Sequence, residues 1–114
     1  MSEAFSFSFE NVDNSIILRI KSVELHIDRI TQLGKQIFDV LKDQPDKLII
    51  DLEHTSYLDS AALGMIFKIN DQMESHDSRL YLTGINNTIS MVLSITKADK
   101  IIRIAESVDS AIKD

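Results

Sequence analysis

Ser60 is the residue whose type and setting in this sequence best suit chemistry. It lies in the run LDSAALG (residues 58–64), between a short polar loop and an apolar pattern of helical period. Asp59 and Ser60 both suit the start of a helix, because their side-chain oxygens accept hydrogen bonds from free amides of the first turn. Capping alone would account for both residues. The same position also tolerates a phosphate, since the free amides and the helix dipole favour an anion there.

The helix that begins near Ser60 is predicted to have an outer face with little bulk. At about 100° per residue, one side is apolar and faces a sheet: Ala62, Leu63, Ile66, Ile69 and Met73. The opposite side carries Ser60, Ala61, Gly64, Met65, Lys68, Asp71 and Gln72. A glycine inside a helix costs about 1 kcal/mol relative to alanine, and a flexible Met65 with no core to enter adapts to a partner. Alternatively, Gly64 relieves crowding within the domain and Met65 is a lone surface side chain.

Phosphorylation of Ser60 would turn this small, neutral surface into an anionic one. Phosphoserine carries about −1.5 to −2 charge and three acceptor oxygens, and Asp59 beside it adds like charge. A partner docked over Ala61 and Gly64 would then meet a bulky dianion. We therefore predict a switch in which the partner binds the unmodified chain and leaves the phosphorylated one.

The elements that position this corner are predicted to follow the order β-β-α-β-α-β-α-β-α. Strands are predicted at 5–9, 16–20, 47–52, 79–83 and 101–104, and helices at 23–42, 59–75, 88–96 and 107–113. Strands that alternate with helices predict an α/β fold, with a mixed sheet of four to five strands and about four helices packed on it. The length of 114 residues suits one domain, residues 1–114.

The composition favours a protein partner over nucleic acid or membrane. The net charge is −6, from 12 Lys and Arg against 18 Asp and Glu, and an acidic surface repels phosphate backbones and anionic lipid. The chain has no cysteine, which excludes disulfides and thiolate zinc sites and fits a reducing compartment. We expect neither a signal peptide nor a membrane span, because the start lacks a basic region and no apolar run reaches about 18 residues. A cytoplasmic location is the expectation.

Other chemistry finds little support in the pattern. His26, His54 and His76 show no metal-ligand spacing. A hydrolytic pair of Ser60 with His54 lacks a Gly-x-Ser-x-Gly elbow, and there is no glycine-rich phosphate loop. We expect no metal, cofactor, small-molecule substrate or enzyme activity. A receiver domain phosphorylated on Asp51 is a rival, but it requires an acidic pair after the first strand and a lysine after a late one.

The run LDSAALG (58–64), behind the apolar strand LIIDL (48–52), resembles the signature of STAS-domain anti-sigma factor antagonists. The tail is similar as well, in LSIT (93–96), DKII (99–102) and SVDSAI (107–112). The sequence departs from the family pattern at two positions. Ala61 replaces a frequent second Ser or Thr, and Ala62 replaces a frequent glycine. Ser60 is therefore the motif's single hydroxyl.

This resemblance implies a single STAS domain with a partner-switching role and no enzyme activity of its own. In the family, a partner kinase phosphorylates the serine after the motif aspartate; the kinase is often the anti-sigma factor itself, of GHKL type. The unphosphorylated form sequesters that partner and frees a sigma factor, and a PP2C-type phosphatase restores it. Ser60 matches the phosphorylated serine and Asp59 the motif aspartate. The near part of the docking face is then Ala61, Gly64, Met65 and Lys68. The alternative is a constitutive structural subunit of a transporter or signalling assembly, in which Ser60 is only a cap.

Overall fold

A computed structural model describes residues 6–25 and 27–114. The strands are β1 (Phe7–Val12), β2 (Ser15–Ile20), β3 (Glu24–Leu25), β4 (Lys47–Asp51), β5 (Tyr57–Leu58), β6 (Arg79–Thr83) and β7 (Arg103–Ala105). The α-helices are α1 (Ile27–Val40), α2 (Ser60–Glu74), α3 (Asn87–Ile95) and α4 (Val108–Lys113). Two short 3₁₀ turns lie at Leu41–Asp43 and Ala98–Lys100.

Five of the strands form one mixed sheet in the order β1-β2-β4-β6-β7. The β1–β2 hairpin is antiparallel, and the β2–β4, β4–β6 and β6–β7 pairs are parallel. Within the described residues, five sheet strands and four α-helices confirm the predicted α/β class and order. A separate parallel pair, β3 with β5, was not predicted. Its strands are two residues long, too short to carry a periodic hydrophobic pattern.

Several predicted boundaries differ from the structure, and the larger differences lie in the first helix, the last strand and the first strand. The first helix begins at Ile27 rather than near Val23, because residues 24–25 pair with β5 instead. The last strand is Arg103–Ala105 rather than 101–104, since Ile101 closes the turn after α3. The first strand extends to Val12. The predicted positions Phe5 and His26 lie outside the described residues.

Side chains of the central strands alternate between two apolar layers, as expected where both sheet faces are covered. On one face, Leu48 and Ile50 join a large core that includes buried residues of α1, α2 and α3. On the other face, Ile49 packs in a smaller cluster with Tyr81 and with Ala111 of α4. The continuous apolar run of β4 is therefore buried on both sides. β4 is the central strand of the sheet, and the chain continues from it through β5 to α2.

The carboxyl edge of the sheet brings the starts of α2 and α3 together. The strands that precede them, β4 and β6, are parallel neighbours, with Asp51 opposite Thr83. Gly84 has a φ of +69°, and a Cβ there would lie 2.8 Å from the backbone nitrogen of Glu53. Only glycine allows the loops after β4 and β6 to approach this closely. In the part of the chain that the structure describes, no helix is both long and apolar enough to cross a membrane.

Candidate functional site

Ser60 is the first residue of α2 and is exposed. Asp59 is the N-cap, and its Oδ1 accepts a hydrogen bond of 2.8 Å from the amide of Ala62. The interpretation of Ser60 as a cap is therefore wrong, because Asp59 performs that role alone. Across residues 6–25 and 27–114, no hydrogen bond engages the Ser60 hydroxyl. The start of α2 is thus capped without the Ser60 hydroxyl.

The first turn of α2 also suits an anion attached to Ser60. The first amides of a helix have no intrahelical acceptor, and here Asp59 satisfies that of Ala62 through its side chain and that of Leu63 through its carbonyl. The amides of Ser60 and Ala61 lie ahead of these bonds. Together with the positive end of the helix dipole, they favour negative charge at this position.

Gly64 lies on the exposed face of α2, one turn beyond Ser60. A Cβ built on Gly64 meets no atom within 4 Å among the described residues. The alternative that Gly64 relieves crowding within the domain is therefore wrong. Lys68, one further turn along, is exposed, and Ala61 is half-buried against the core. The outer surface of α2 behind Ser60 is consequently unobstructed at Gly64.

Met65 departs from the sequence-based expectation. It is half-buried and packs against the core, and a Cβ on Gly34 would lie 2.7 Å from its Cε. The expectation that Met65 has no core to enter is wrong, because α1 covers that flank of α2 and Gly34 provides the space for the thioether. The helical wheel misjudged Met65, because it considers one helix without its neighbour. A glycine within α1 was the available sequence signal.

Two exposed apolar side chains near Ser60 were not predicted from the sequence. Val23 is 49% exposed and Tyr57 is 43% exposed. Their backbones are adjacent, since the amides of Ser56 and Tyr57 donate to the carbonyl of Val23 at 2.7 and 3.3 Å. Tyr57 precedes Ser60 by three residues. Only the unpredicted pairing of β3 with β5 brings Val23 to this corner.

Asp51 has a structural task that argues against the receiver-domain rival. It is 8% exposed, and its Oδ2 pairs with Arg19 at 3.0 Å. Its Oδ1 accepts a hydrogen bond of 3.0 Å from the amide of Glu53. Oδ2 therefore ties β4 to β2, and Oδ1 holds the start of the loop that leads to Ser60. Among the described residues, no group of three or more His, Cys, Asp or Glu side chains is arranged to hold a metal.

The STAS domain model matches residues 6–111, so the chain belongs to the STAS domain family. A Thermotoga maritima protein, provisionally named an anti-sigma factor antagonist, is 28% identical over 109 residues, which covers 95% of this chain and 96% of the relative.

Solved structures show the same fold. A crystal structure from Thermotoga maritima with the same provisional name superposes with a TM-score of 0.88 at 29% identity, covering 94% of this chain and 92% of the other. The Bacillus cell fate determinant SpoIIAA in its phosphorylated form superposes with a TM-score of 0.74 at 20% identity, over 95% and 97% of the two chains. These findings confirm the family indicated by the LDSAALG motif.

Proposed function

We propose that this protein is a cytoplasmic anti-sigma factor antagonist controlled by phosphorylation of Ser60. The observation that carries the proposal is that Ser60 is exposed at the start of α2 while Asp59 alone caps the helix. Its hydroxyl is therefore available to a kinase without loss of a structural hydrogen bond. The Thermotoga relatives, named provisionally as anti-sigma factor antagonists over nearly the same length, support the partner class.

The proposed partner is an anti-sigma factor that is also a GHKL-type serine kinase. It transfers the γ-phosphoryl group of ATP to Ser60 Oγ: the new O–P bond replaces the bond to ADP, and the hydroxyl proton passes to a base of the kinase. A PP2C-type phosphatase reverses the modification by hydrolysis, which releases inorganic phosphate. The protein itself supplies the acceptor and catalyses neither step.

The switch follows from the surface around Ser60. In the unmodified chain, a partner approaches over Ser60 and Gly64, where a Cβ would meet nothing within 4 Å. The phosphoryl group adds bulk and about −1.5 to −2 charge at the same place, beside the carboxylate of Asp59. A docked partner loses close contact and meets concentrated negative charge, so it dissociates.

The modified state is compatible with the fold. Because the amides at the start of α2 and its dipole favour an anion, phosphorylation changes the surface and leaves the domain folded. SpoIIAA, which has the same fold, has been solved in a phosphorylated form, so this architecture accommodates a phosphoryl group.

Phosphotransfer from purified GHKL-type kinases of the organism tests the acceptor. We expect a phosphate-affinity gel shift for the wild type and for Ser56→Ala, an exposed serine of the same loop, and no shift for Ser60→Ala. A shift that persists in Ser60→Ala refutes the assignment.

Titration calorimetry with the same kinase tests the switch. Ser60→Asp is expected to weaken binding by tenfold or more, about 1.4 kcal/mol. Equal affinity of the wild type and Ser60→Asp would instead favour the constitutive structural subunit.

A further inference from the structure

The outer face of α3 is apolar and uncharged in a chain with many charges. All nine residues of α3, NTISMVLSI, lack charge, whereas 26% of the whole chain is charged. Ile89 and Leu93 are buried, so the core side of the helix is already occupied. On the opposite side, Met91 is 62% exposed and Ile95 is 74% exposed. These two side chains are spaced by four residues and form a ridge that nothing in the described chain covers.

The segment after α3 is basic, in contrast to the acidic chain as a whole. Residues 96–104 contain three cations and one acid, although the net charge of the protein is −6. The cations are Lys97, Lys100 and Arg103. Arg103 lies in β7 and pairs with Glu74 at 3.9 Å, so the two lysines supply the positive charge of the turn itself. Two more apolar side chains of this segment are exposed, Ile101 at 54% and Ile104 at 42%. The α3 ridge therefore leads into a turn with positive charge and exposed apolar groups.

The α3 ridge lies on the same sheet face as α2, and α3 begins at the sheet edge that carries Ser60. Helices α2 and α3 pack on the same sheet face, and both begin at its carboxyl edge after neighbouring strands. The side chain of Asn86, the cap of α3, donates to the carbonyl of Ser56 at 3.1 Å, four residues before Ser60. The start of α3 is thereby attached to the loop that presents the proposed phosphorylation site.

We propose that the α3 ridge and the basic turn after it (residues 96–104) form a second half of the docking surface, which rests on the function proposed above. This half binds an apolar groove of the same anti-sigma factor, rimmed by Asp and Glu side chains. Exposed helical residues at i and i+4 are the usual anchors for such a groove. Protein interfaces combine an uncharged, Met-containing centre with a polar rim, and α3 with its basic turn has this composition.

Charge favours this occupant over two others. A bilayer is an extended anionic plane, so it would face the acidic remainder of the chain as well as the local cations. A second copy related by two-fold symmetry would bring the two basic turns close together, with no acidic rim to complement them. An acidic rim on a different protein lies only against Lys97 and Lys100 and complements them locally. Because the ridge is separate from the hydroxyl of Ser60, it contributes to affinity and partner choice, and Ser60 controls release.

The first test measures the affinity of the kinase that phosphorylates Ser60. We expect the double variant Met91→Ser/Ile95→Ser to bind roughly tenfold more weakly or worse than the wild type. The matched control Ser90→Ala/Ser94→Ala, on the same helix, is expected to bind like the wild type. Both pairs of side chains are exposed, so circular dichroism and melting temperature are expected to change little. Equal affinity of both double variants overturns the inference.

Lys97 allows a second test in which stability and binding move in opposite directions. Its φ is +61°, so Lys97→Gly relieves a left-handed backbone conformation. Gln44→Gly is the control, because Gln44 has a φ of +51° and precedes β4, which β6 separates from β7 in the sheet. We expect both variants to be at least as thermally stable as the wild type. Only Lys97→Gly is expected to bind more weakly and with a smaller dependence on salt; equal behaviour of the two overturns the basic turn's role.

Two further measurements separate the alternatives. Sedimentation with phosphatidylglycerol vesicles that is lost in Met91→Ser/Ile95→Ser would replace the protein partner by a lipid surface. A dimer in analytical ultracentrifugation that is lost in the same variant would replace it by a second copy. If no anti-sigma kinase binds and phosphorylates the wild type, both the proposed function and this inference are wrong. If the wild type binds and the α3 variant binds equally, only this inference fails.

Discussion

Gly64→Ala is the substitution in which stability and partner binding are expected to diverge most clearly. Gly64 is the fifth residue of α2, and a Cβ there meets no atom within 4 Å. The helix therefore gains the propensity difference between Ala and Gly, about 0.8–1 kcal/mol, with no steric penalty. For a domain of this size, that gain corresponds to roughly 3–6 °C in melting temperature. At the same time, the added methyl fills the surface over which the partner approaches, so binding should weaken.

Gly34→Ala is the matched control within α1. A Cβ on Gly34 lies 2.7 Å from Cε and 3.1 Å from Sδ of Met65. The end of Met65 must move, so the propensity gain is offset and the net change should be smaller than at Gly64. Gly34 is buried, so its substitution should lower partner affinity less than Gly64→Ala does.

Urea denaturation with a common m-value gives both stabilities, and calorimetry with the kinase gives both affinities. A loss of stability in Gly64→Ala would refute the open environment of Gly64. A gain of stability with unchanged affinity would remove Gly64 from the docking face.

Three further predictions concern the cap, a buried amide and pH. Asp59→Ala should lower the free energy of unfolding by about 0.5–2 kcal/mol through loss of the N-cap, whereas Ser60→Ala should change it by less than about 0.5 kcal/mol; urea denaturation distinguishes them, and equal losses would contradict the assignment of the cap. Asn70 is fully buried, and neither polar atom of its side-chain amide has a hydrogen-bond partner in the described chain. Asn70→Leu should therefore raise the free energy of unfolding by roughly 1 kcal/mol, because it removes an unpaired polar group; a lower free energy of unfolding in the same assay would indicate a water bound to the amide. The hydroxyl of Tyr81, followed by the charges of Arg79 and Lys47, lowers the pKa of Asp114 below its usual value of 3.8, so this contribution to stability is present above about pH 4 and is lost as the pH falls through the lowered pKa. NMR titration of the Asp114 carboxyl should show a higher pKa in Tyr81→Phe than in the wild type; an unchanged pKa would argue against the hydroxyl as the main cause.

Several features of the fold were predictable from local patterns. The apolar run at residues 47–52 predicted a strand covered on both faces, and β4 is buried on both sides because α4 packs on one face and three helices on the other. The five residues assigned to the core side of α2 are all buried. These predictions succeeded because the period of a helix or strand and the burial of its apolar side chains are recorded in adjacent residues.

The sequence by itself determined the α/β class, the order of elements, the core side of α2 and the start of that helix at Asp59–Ser60, because these depend on neighbouring residues. The tertiary structure decided the shape of the surface around Ser60. Met65 is half-buried because α1 packs beside it, and the pairing of β3 with β5 brings Val23 to this corner. Met91 and Ile95 are exposed because the other side of α3 faces the core. Each of these outcomes depends on contacts between segments distant in the chain, which no local pattern specifies.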